Sequence, residues 1–182
     1  MIRLFEFVLS IVALLFFSPI LLIVIVLGYL DTKSPIFVQE RVGRNMKPFR
    51  LLKFRTMRPE TESVASHLAS KNSITRLGSI LRKTKVDELP QLINVIKGEM
   101  SLVGPRPNLF NQTELIKERK KHGIYEVLPG ITGLAQINNI DMSKPKQLAE
   151  TDRQMIDTLT FRKYISYIIR TVLGSGAGDA VR

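Results

Sequence analysis

The chain changes character near residue 31. From Phe7 to Leu30 no charged side chain interrupts an apolar run. At about 1.5 Å per residue a straight helix of that length reaches about 36 Å, enough for a hydrocarbon core of about 30 Å. Ser18-Pro19 stands at the centre of the run. Proline removes a backbone donor and clashes with the carbonyl four residues back, so it kinks or breaks the helix there. The neighbouring serine hydroxyl can bond a freed carbonyl, which makes the bend tolerable in lipid. Each half, 7–17 and 20–30, is too short to span alone. On these residues alone a kinked span is preferred to a re-entrant hairpin that would keep Arg3 and Asp31 on one side. A secretory signal peptide is the weaker reading, because no cluster of positive charge precedes the run and no small-residue cleavage site follows it.

Past Asp31 the pattern shortens and alternates. Residues 35–57, PIFVQERVGRNMKPFRLLKFRTM, predict a β-hairpin around Gly43-Arg44-Asn45, with Arg50, Lys53 and Arg55 on its second strand. Residues 58–74 are polar and Ser-rich and predict an exposed loop. Residues 74–83 carry Ile74, Leu77 and Leu81 on one helical face with basic residues elsewhere, which suits an anionic membrane surface or ordinary packing equally. Asp87 or Thr84 is expected to cap a helix over 88–97, with Pro90 tolerated in its first turn. Further helices are predicted over 107–121 (ending at Gly123), 144–158 and 161–173, and 129–137 reads as a turn-rich segment. The expected fold is α+β and mainly helical: a membrane helix over 1–31, one domain over 32–173 with interfacial amphipathic helices and a small β-hairpin, and a flexible tail over 174–182. The glycines of that tail, GSGAGD, have no strand before them and no helix after, so they are not a nucleotide loop.

Charge narrows the partners. The net charge is +11, and of 27 Lys and Arg only Arg3 precedes the apolar run. That imbalance favours anionic partners: phosphorylated small molecules, acidic lipid or nucleic acid. It also leans the bulk of the chain toward the cytoplasmic side of a membrane. There is no cysteine, which excludes disulfides, thiol catalysis and cysteine-bound zinc. The two histidines, His67 and His122, lie far apart in polar surroundings and read as surface residues, so a histidine metal site or a Ser-His-Asp triad has little support.

The stretch 82–107, RKTKVDELPQLINVIKGEMSLVGPRP, holds the candidate chemistry. Asp87 and Glu88 are adjacent carboxylates about 100° apart on a helix, so they would not duplicate one role. As a plain helix start, Asp87 would accept a backbone N–H. The same helix N-terminus attracts phosphate and keeps a carboxylate ionised, so the two readings are compatible. One carboxylate can attack phosphorus, forming an acyl phosphate, while the other binds a divalent cation or handles a proton. Mg²⁺ on Asp87 and Glu88 is the expected cofactor for a phosphate substrate. Arg82 and Arg106 are candidate phosphate clamps, and Pro105 and Pro107 fix the backbone around Arg106 so that its planar fork loses less entropy on binding. As a structural residue, Arg106 would bond loop carbonyls instead. Lys53 and Arg55 read first as a solvated strand face.

The ordered series of an apolar helix with central Ser18-Pro19, KFRTM at 53–57, LRKTKVDELPQLINVIKGEMSLVGPRP at 81–107 and PGITGLAQI at 129–137 resembles the bacterial sugar transferase family, the small monotopic phosphoglycosyl transferases. The resemblance implies transfer of a sugar 1-phosphate from a UDP-sugar to a polyprenol (undecaprenyl) phosphate with release of UMP. Such a reaction begins a lipid-linked glycan such as O-antigen or capsule, and downstream glycosyltransferases would follow it. It implies that Asp87 is the nucleophile, that Glu88 assists it and helps place Mg²⁺, that Arg82 and Arg106 hold substrate phosphates, and that Lys53 and Arg55 lie near the site. It also implies a re-entrant helix bent at Ser18-Pro19, in the bacterial inner membrane with the catalytic part on the cytoplasmic face, reversing the preference drawn from the residues alone. Two departures stand out. Asn138-Asn139-Ile140 replaces the Asn-Gly-Arg frequent in the family, and TFRKYIS stands where many members carry an aspartate after a Ser-Phe pair. Both bear on sugar choice, for which an N-acetylated hexosamine derivative is expected. The rival reading is a non-enzymatic membrane-anchored basic module binding acidic lipid or nucleic acid. Dispersed charge with little aromatic interleaving speaks against nucleic acid. A soluble aspartyl-phosphate phosphatase would leave the apolar segment without a role.

Overall fold

The computed structural model describes residues 2–61 and 71–174. Most of the expected Ser-rich loop, His67 and the tail from residue 175 lie outside the described residues. The described residues form two compact units: one from Ile2 to Gln39 together with Arg50–Gly98, the other from Glu40–Phe49 together with Glu99–Gly174. Both are predominantly helical with short strands, as expected for a mainly helical α+β protein.

The first unit begins with α1 (Ile2–Thr32), helical without interruption through Pro19. Of the kink or break anticipated at Ser18-Pro19, the break is absent, for a local reason. Pro19 has no N–H to offer Leu15, and the Ser18 hydroxyl donates to that same Leu15 carbonyl at 2.8 Å, restoring the lost bond. α1 meets its own unit near both ends. Arg3 Nη2 donates to the Val95 carbonyl at 3.3 Å, Glu6 and Ser10 are buried, and Val24 packs with Phe54 and Leu81. Between and around these contacts Leu15, Phe16, Leu22 and Ile23 stand exposed. That apolar surface is expected of a helix solvated by lipid, and α1 is long and apolar enough to cross a membrane.

The expected hairpin is present as β1 (Ile36–Val42) and β2 (Pro48–Phe54), joined by a short 3-10 turn over Arg44–Met46. So short a connection allows only an antiparallel pair. The base of β2 is closed by a side chain: Asn94, wholly buried, accepts from Leu52 N–H at 3.0 Å and donates to the Arg50 carbonyl at 2.7 Å. A carboxamide carries one donor and one acceptor like a peptide group, so it stands in for a neighbouring strand at this edge. α2 (Arg76–Thr84) starts at Thr75, whose side chain accepts from Gly78 N–H at 2.9 Å, and its Leu77 and Leu81 join Val86 in the core cluster. Burial of an apolar side chain of this size contributes about 1.5–3 kcal/mol against water. For Val24, whose alternative partner is lipid, that term is largely absent and close packing takes its place. After a 3-10 turn over Val86–Glu88, α3 (Gln91–Ile96) completes the unit.

The second unit is built on β3 (Ser101–Val103) and β4 (Gly130–Thr132), paired in parallel with Ser101 opposite Gly130 and Val103 opposite Thr132. The turn-rich segment anticipated at 129–137 is thus a strand followed by a short helix, α5 (Leu134–Ile137). The helix anticipated from Pro107 starts only at Thr113, as α4 (Thr113–Lys121). Residues 107–109 are outside any helix or strand, and the Val42 N–H donates to the Asn108 carbonyl at 2.9 Å, which holds this stretch against β1. α6 (Pro145–Thr158) and α7 (Phe161–Val172) fall where the apolar periodicity puts them. Leu115, Ala135 and Leu148 join α4, α5 and α6 in one cluster, with Ile140 and Met142 against it. α7 turns Tyr164 and Tyr167 inward and leaves Phe161, Ile169 and Val172 exposed among Arg162, Lys163 and Arg170, the two-faced pattern expected of an interfacial helix.

Candidate active site

Five of the residues predicted to act on substrate, Lys53, Arg55, Arg82, Asp87 and Glu88, lie in the first unit. Asp87 and Glu88 lie in the 3-10 turn between α2 and α3, with Asp87 2% and Glu88 7% exposed. This corrects the helix-start reading. The position preceding α3 is Pro90, without a capping side chain, and Thr84 donates back to Ile80 and Leu81 within α2. Lys85, left-handed at φ 59°, ends α2 and turns the chain into the acidic pair. Two carboxylates so deeply buried are costly for a protein that needs only a stable core.

In the same unit the basic residues are oriented by specific partners. Arg82 Nε donates to the Thr56 hydroxyl at 2.8 Å, which ties α2 to the KFRTM segment. Arg55 donates from Nε to the Ser34 carbonyl at 2.9 Å, and its guanidinium lies 5.2 Å from the centre of the Phe37 ring. Lys53 lies 5.6 Å from the same ring and is only 7% exposed. The solvated strand face expected for Lys53 is therefore wrong: it is a buried cation on an aromatic face. α2 can come this close because of Gly78, where a Cβ would sit 2.0 Å from the Thr56 carbonyl oxygen.

Arg106 belongs to the second unit. Its loop, Pro105-Arg106-Pro107-Asn108, has two residues without an N–H, so its backbone can be pinned mainly through carbonyls. All four are used. Pro105 O accepts from Gly130 N–H at 2.9 Å, and Asn108 O from Val42 N–H at 2.9 Å. Arg106 O accepts from Arg119 Nη1 at 2.8 Å, and Pro107 O from Arg41 Nη1 at 3.2 Å. Arg119, 2% exposed, also donates from Nη1 to Asn108 Oδ1 at 3.0 Å and from Nη2 to Asp152 Oδ2 at 2.7 Å. Tyr125 donates to the same Asn108 oxygen at 3.0 Å. Burial pushes the Asp152 carboxyl above the usual carboxylate range, with Arg119 pulling against it, and burial likewise raises Tyr125.

Arg119 and Asp152 escape notice in the sequence because Arg119 sits in the basic string KERKKH. A usable signal was present. Arg119 follows Leu115 by four residues and Asp152 follows Leu148 by four, which puts one charge of each sign on the apolar face of its helix.

Among the described residues no group of three or more His, Asp or Glu side chains is gathered to hold a metal. Asp87 and Glu88 still fit Mg²⁺, which takes one or two carboxylates and draws its remaining ligands from waters and substrate phosphates.

Comparison with known proteins identifies the family. The family model described as Bacterial sugar transferase matches residues 1–176. An uncharacterized sugar transferase of Bacillus subtilis, EpsL, is 40% identical over 177 residues, covering 95% of this chain and 87% of that one. A UDP-glucose:undecaprenyl-phosphate glucose-1-phosphate transferase of Caulobacter vibrioides is 36% identical over 166 residues, 86% of this chain and 62% of its own length. A UDP-N-acetylgalactosamine-undecaprenyl-phosphate N-acetylgalactosaminephosphotransferase of Aeromonas hydrophila is 38% identical over 133 residues, covering 70% of this chain and 31% of the relative. With the family match running through α1, the acidic turn and the Pro-Arg-Pro loop alike, the chain belongs to the bacterial sugar transferase family.

Proposed function

We propose that this chain transfers a sugar 1-phosphate from a UDP-sugar to undecaprenyl phosphate, releasing UMP. The observation that carries the reading is the buried Asp87-Glu88 pair in its own turn, in a chain whose relatives are named for this reaction. In the proposed sequence an Asp87 carboxylate oxygen attacks the sugar-bearing phosphorus. The bond from that phosphorus to the bridging oxygen breaks, and UMP leaves with the electron pair. The resulting aspartyl phospho-sugar is then attacked by a phosphate oxygen of undecaprenyl phosphate, which restores the free carboxylate and yields the diphosphate-linked sugar. Glu88 assists Asp87, and Arg82 and Arg106 bind substrate phosphates as planar forks. Lys53 and Arg55, fixed on Phe37, add positive field. Mg²⁺ on Asp87 and Glu88 would neutralise charge on the diphosphate. An N-acetylated hexosamine derivative is the proposed sugar, the class named for the Aeromonas relative. The test is UMP release by the purified full chain with undecaprenyl phosphate, Mg²⁺ and a panel of UDP-sugars; no UMP from any donor would sink the reading.

The proposed setting is the cytoplasmic face of the inner membrane, with α1 re-entrant. As a straight rod α1 would be about 46 Å long. Yet Arg3 reaches Val95 while Val24 packs on Phe54 and Leu81 of the same unit. Contacts near both ends with one unit favour both ends on one side of the bilayer, with the exposed stretch around Phe16 dipping into lipid. The chain has no cysteine, so Ile2→Cys and Asp31→Cys can be introduced singly. Both should resist an impermeant maleimide in intact cells and react after lysis. Labelling of the Ile2 variant alone in intact cells would restore a spanning helix.

A further inference from the structure

The Pro-Arg-Pro loop is pinned through its carbonyls, and one buried side chain holds it at two points. Arg119 Nη1 binds both the Arg106 carbonyl and the Asn108 side chain, while Nη2 is anchored on Asp152 in α6. A single guanidinium thus links α4, α6 and the peptide unit of Arg106. We infer that Arg119, fixed by Asp152, is a positioning residue for Arg106: it sets the backbone from which the Arg106 fork reaches substrate phosphate. The inference rests on the proposed phosphate-binding role of Arg106. The chemistry favours it over simple packing in two respects. A buried ion pair is a poor way to stabilise a core, since an apolar pair of similar volume does as well or better. Both terminal nitrogens of the fork are also used, with two acceptors on one and the carboxylate on the other, a division that one ammonium centre cannot reproduce.

The experiment is a double-mutant cycle in the full chain, reconstituted in lipid, with UDP and Mg²⁺ as the probe and binding measured by calorimetry. UDP is the part shared by all UDP-sugars, so the sugar need not be known. Arg106→Ala is expected to weaken UDP binding about tenfold or more, the scale of losing a charge-assisted bond. Arg119→Lys should weaken it by a similar factor while keeping the charge opposite Asp152. The decisive outcome is the double variant, which should bind UDP no worse than Arg106→Ala alone, because Arg119 acts only through Arg106. Independent, multiplying losses would overturn the inference, as would unchanged affinity in Arg119→Lys. If Arg119→Lys does not fold, Asp152→Asn takes its place in the same cycle with the same expected coupling. Unchanged affinity in Arg106→Ala would overturn this inference together with the phosphate role of Arg106. A covalent adduct on Asp87, measured separately, would then still support the nucleophile and locate the error in Arg106.

Discussion

Asp87→Asn is expected to abolish UMP release, by about 10⁴-fold or more, the order of loss seen when a covalent nucleophile is removed. The substitution is nearly isosteric and replaces a carboxylate that is 2% exposed, so the turn over Val86–Glu88 should keep its shape. A carboxamide oxygen is too weak a nucleophile to open a diphosphate. Glu88 is in the next position but projects elsewhere and should not substitute. The variant should remain membrane-bound and folded, which separates loss of chemistry from loss of structure. Two measurements check this. UMP release should fall to background with every donor. Intact-protein mass spectrometry after incubation with a UDP-sugar, without acceptor, should show a phospho-sugar adduct on the parent chain and none on the variant. Turnover by Asp87→Asn at the parent rate would end the covalent mechanism, whatever the family.

The parts of this arrangement written in local sequence were legible. Ser18 beside Pro19 forecasts its own remedy, since the carbonyl freed by Pro19 lies within reach of that hydroxyl. The hairpin, α2, α6 and α7 follow from alternation or from helical periodicity. What could not be read locally depends on partners distant in the chain. β3 and β4 are three residues each and become strands only by pairing with one another; neither carries enough alternation to announce a strand. Lys53 looks solvated until Phe37 covers it. The start of α4 is delayed to Thr113 because Asn108 is already engaged by β1, a case of tertiary pairing overriding helix propensity. The acidic pair stands out in the sequence as candidate chemistry, but its geometry does not, because its 3-10 turn follows Lys85 in a left-handed conformation that no lysine advertises.

The largest structural effect is expected from Gly130→Ala, which should lower stability by about 3 kcal/mol or more. Gly130 and Gly104 bring the PGITG and VGPRP segments into direct backbone contact. A Cβ on Gly130 would lie 2.0 Å from the Gly104 nitrogen and 2.5 Å from its Cα. Both obstacles are main chain, so no side chain can rotate away and the strands themselves must part. Parting them stretches two bonds at once: Gly104 N–H to the Thr132 carbonyl at 2.8 Å and Gly130 N–H to the Pro105 carbonyl at 2.9 Å. The second is one of the four anchors of the Pro-Arg-Pro loop, so damage to the fold should extend to ligand binding. For a chain of this size the loss corresponds to a melting temperature lower by roughly 6–12 °C. Thermal unfolding of the reconstituted protein checks the first effect and UDP affinity the second. An alanine variant that melts with the parent would mean that the two segments are not held in contact as described. An alanine variant that melts early yet binds UDP normally would instead free the Arg106 loop from dependence on β4, leaving Arg119, Arg41 and the Val42 N–H as sufficient anchors.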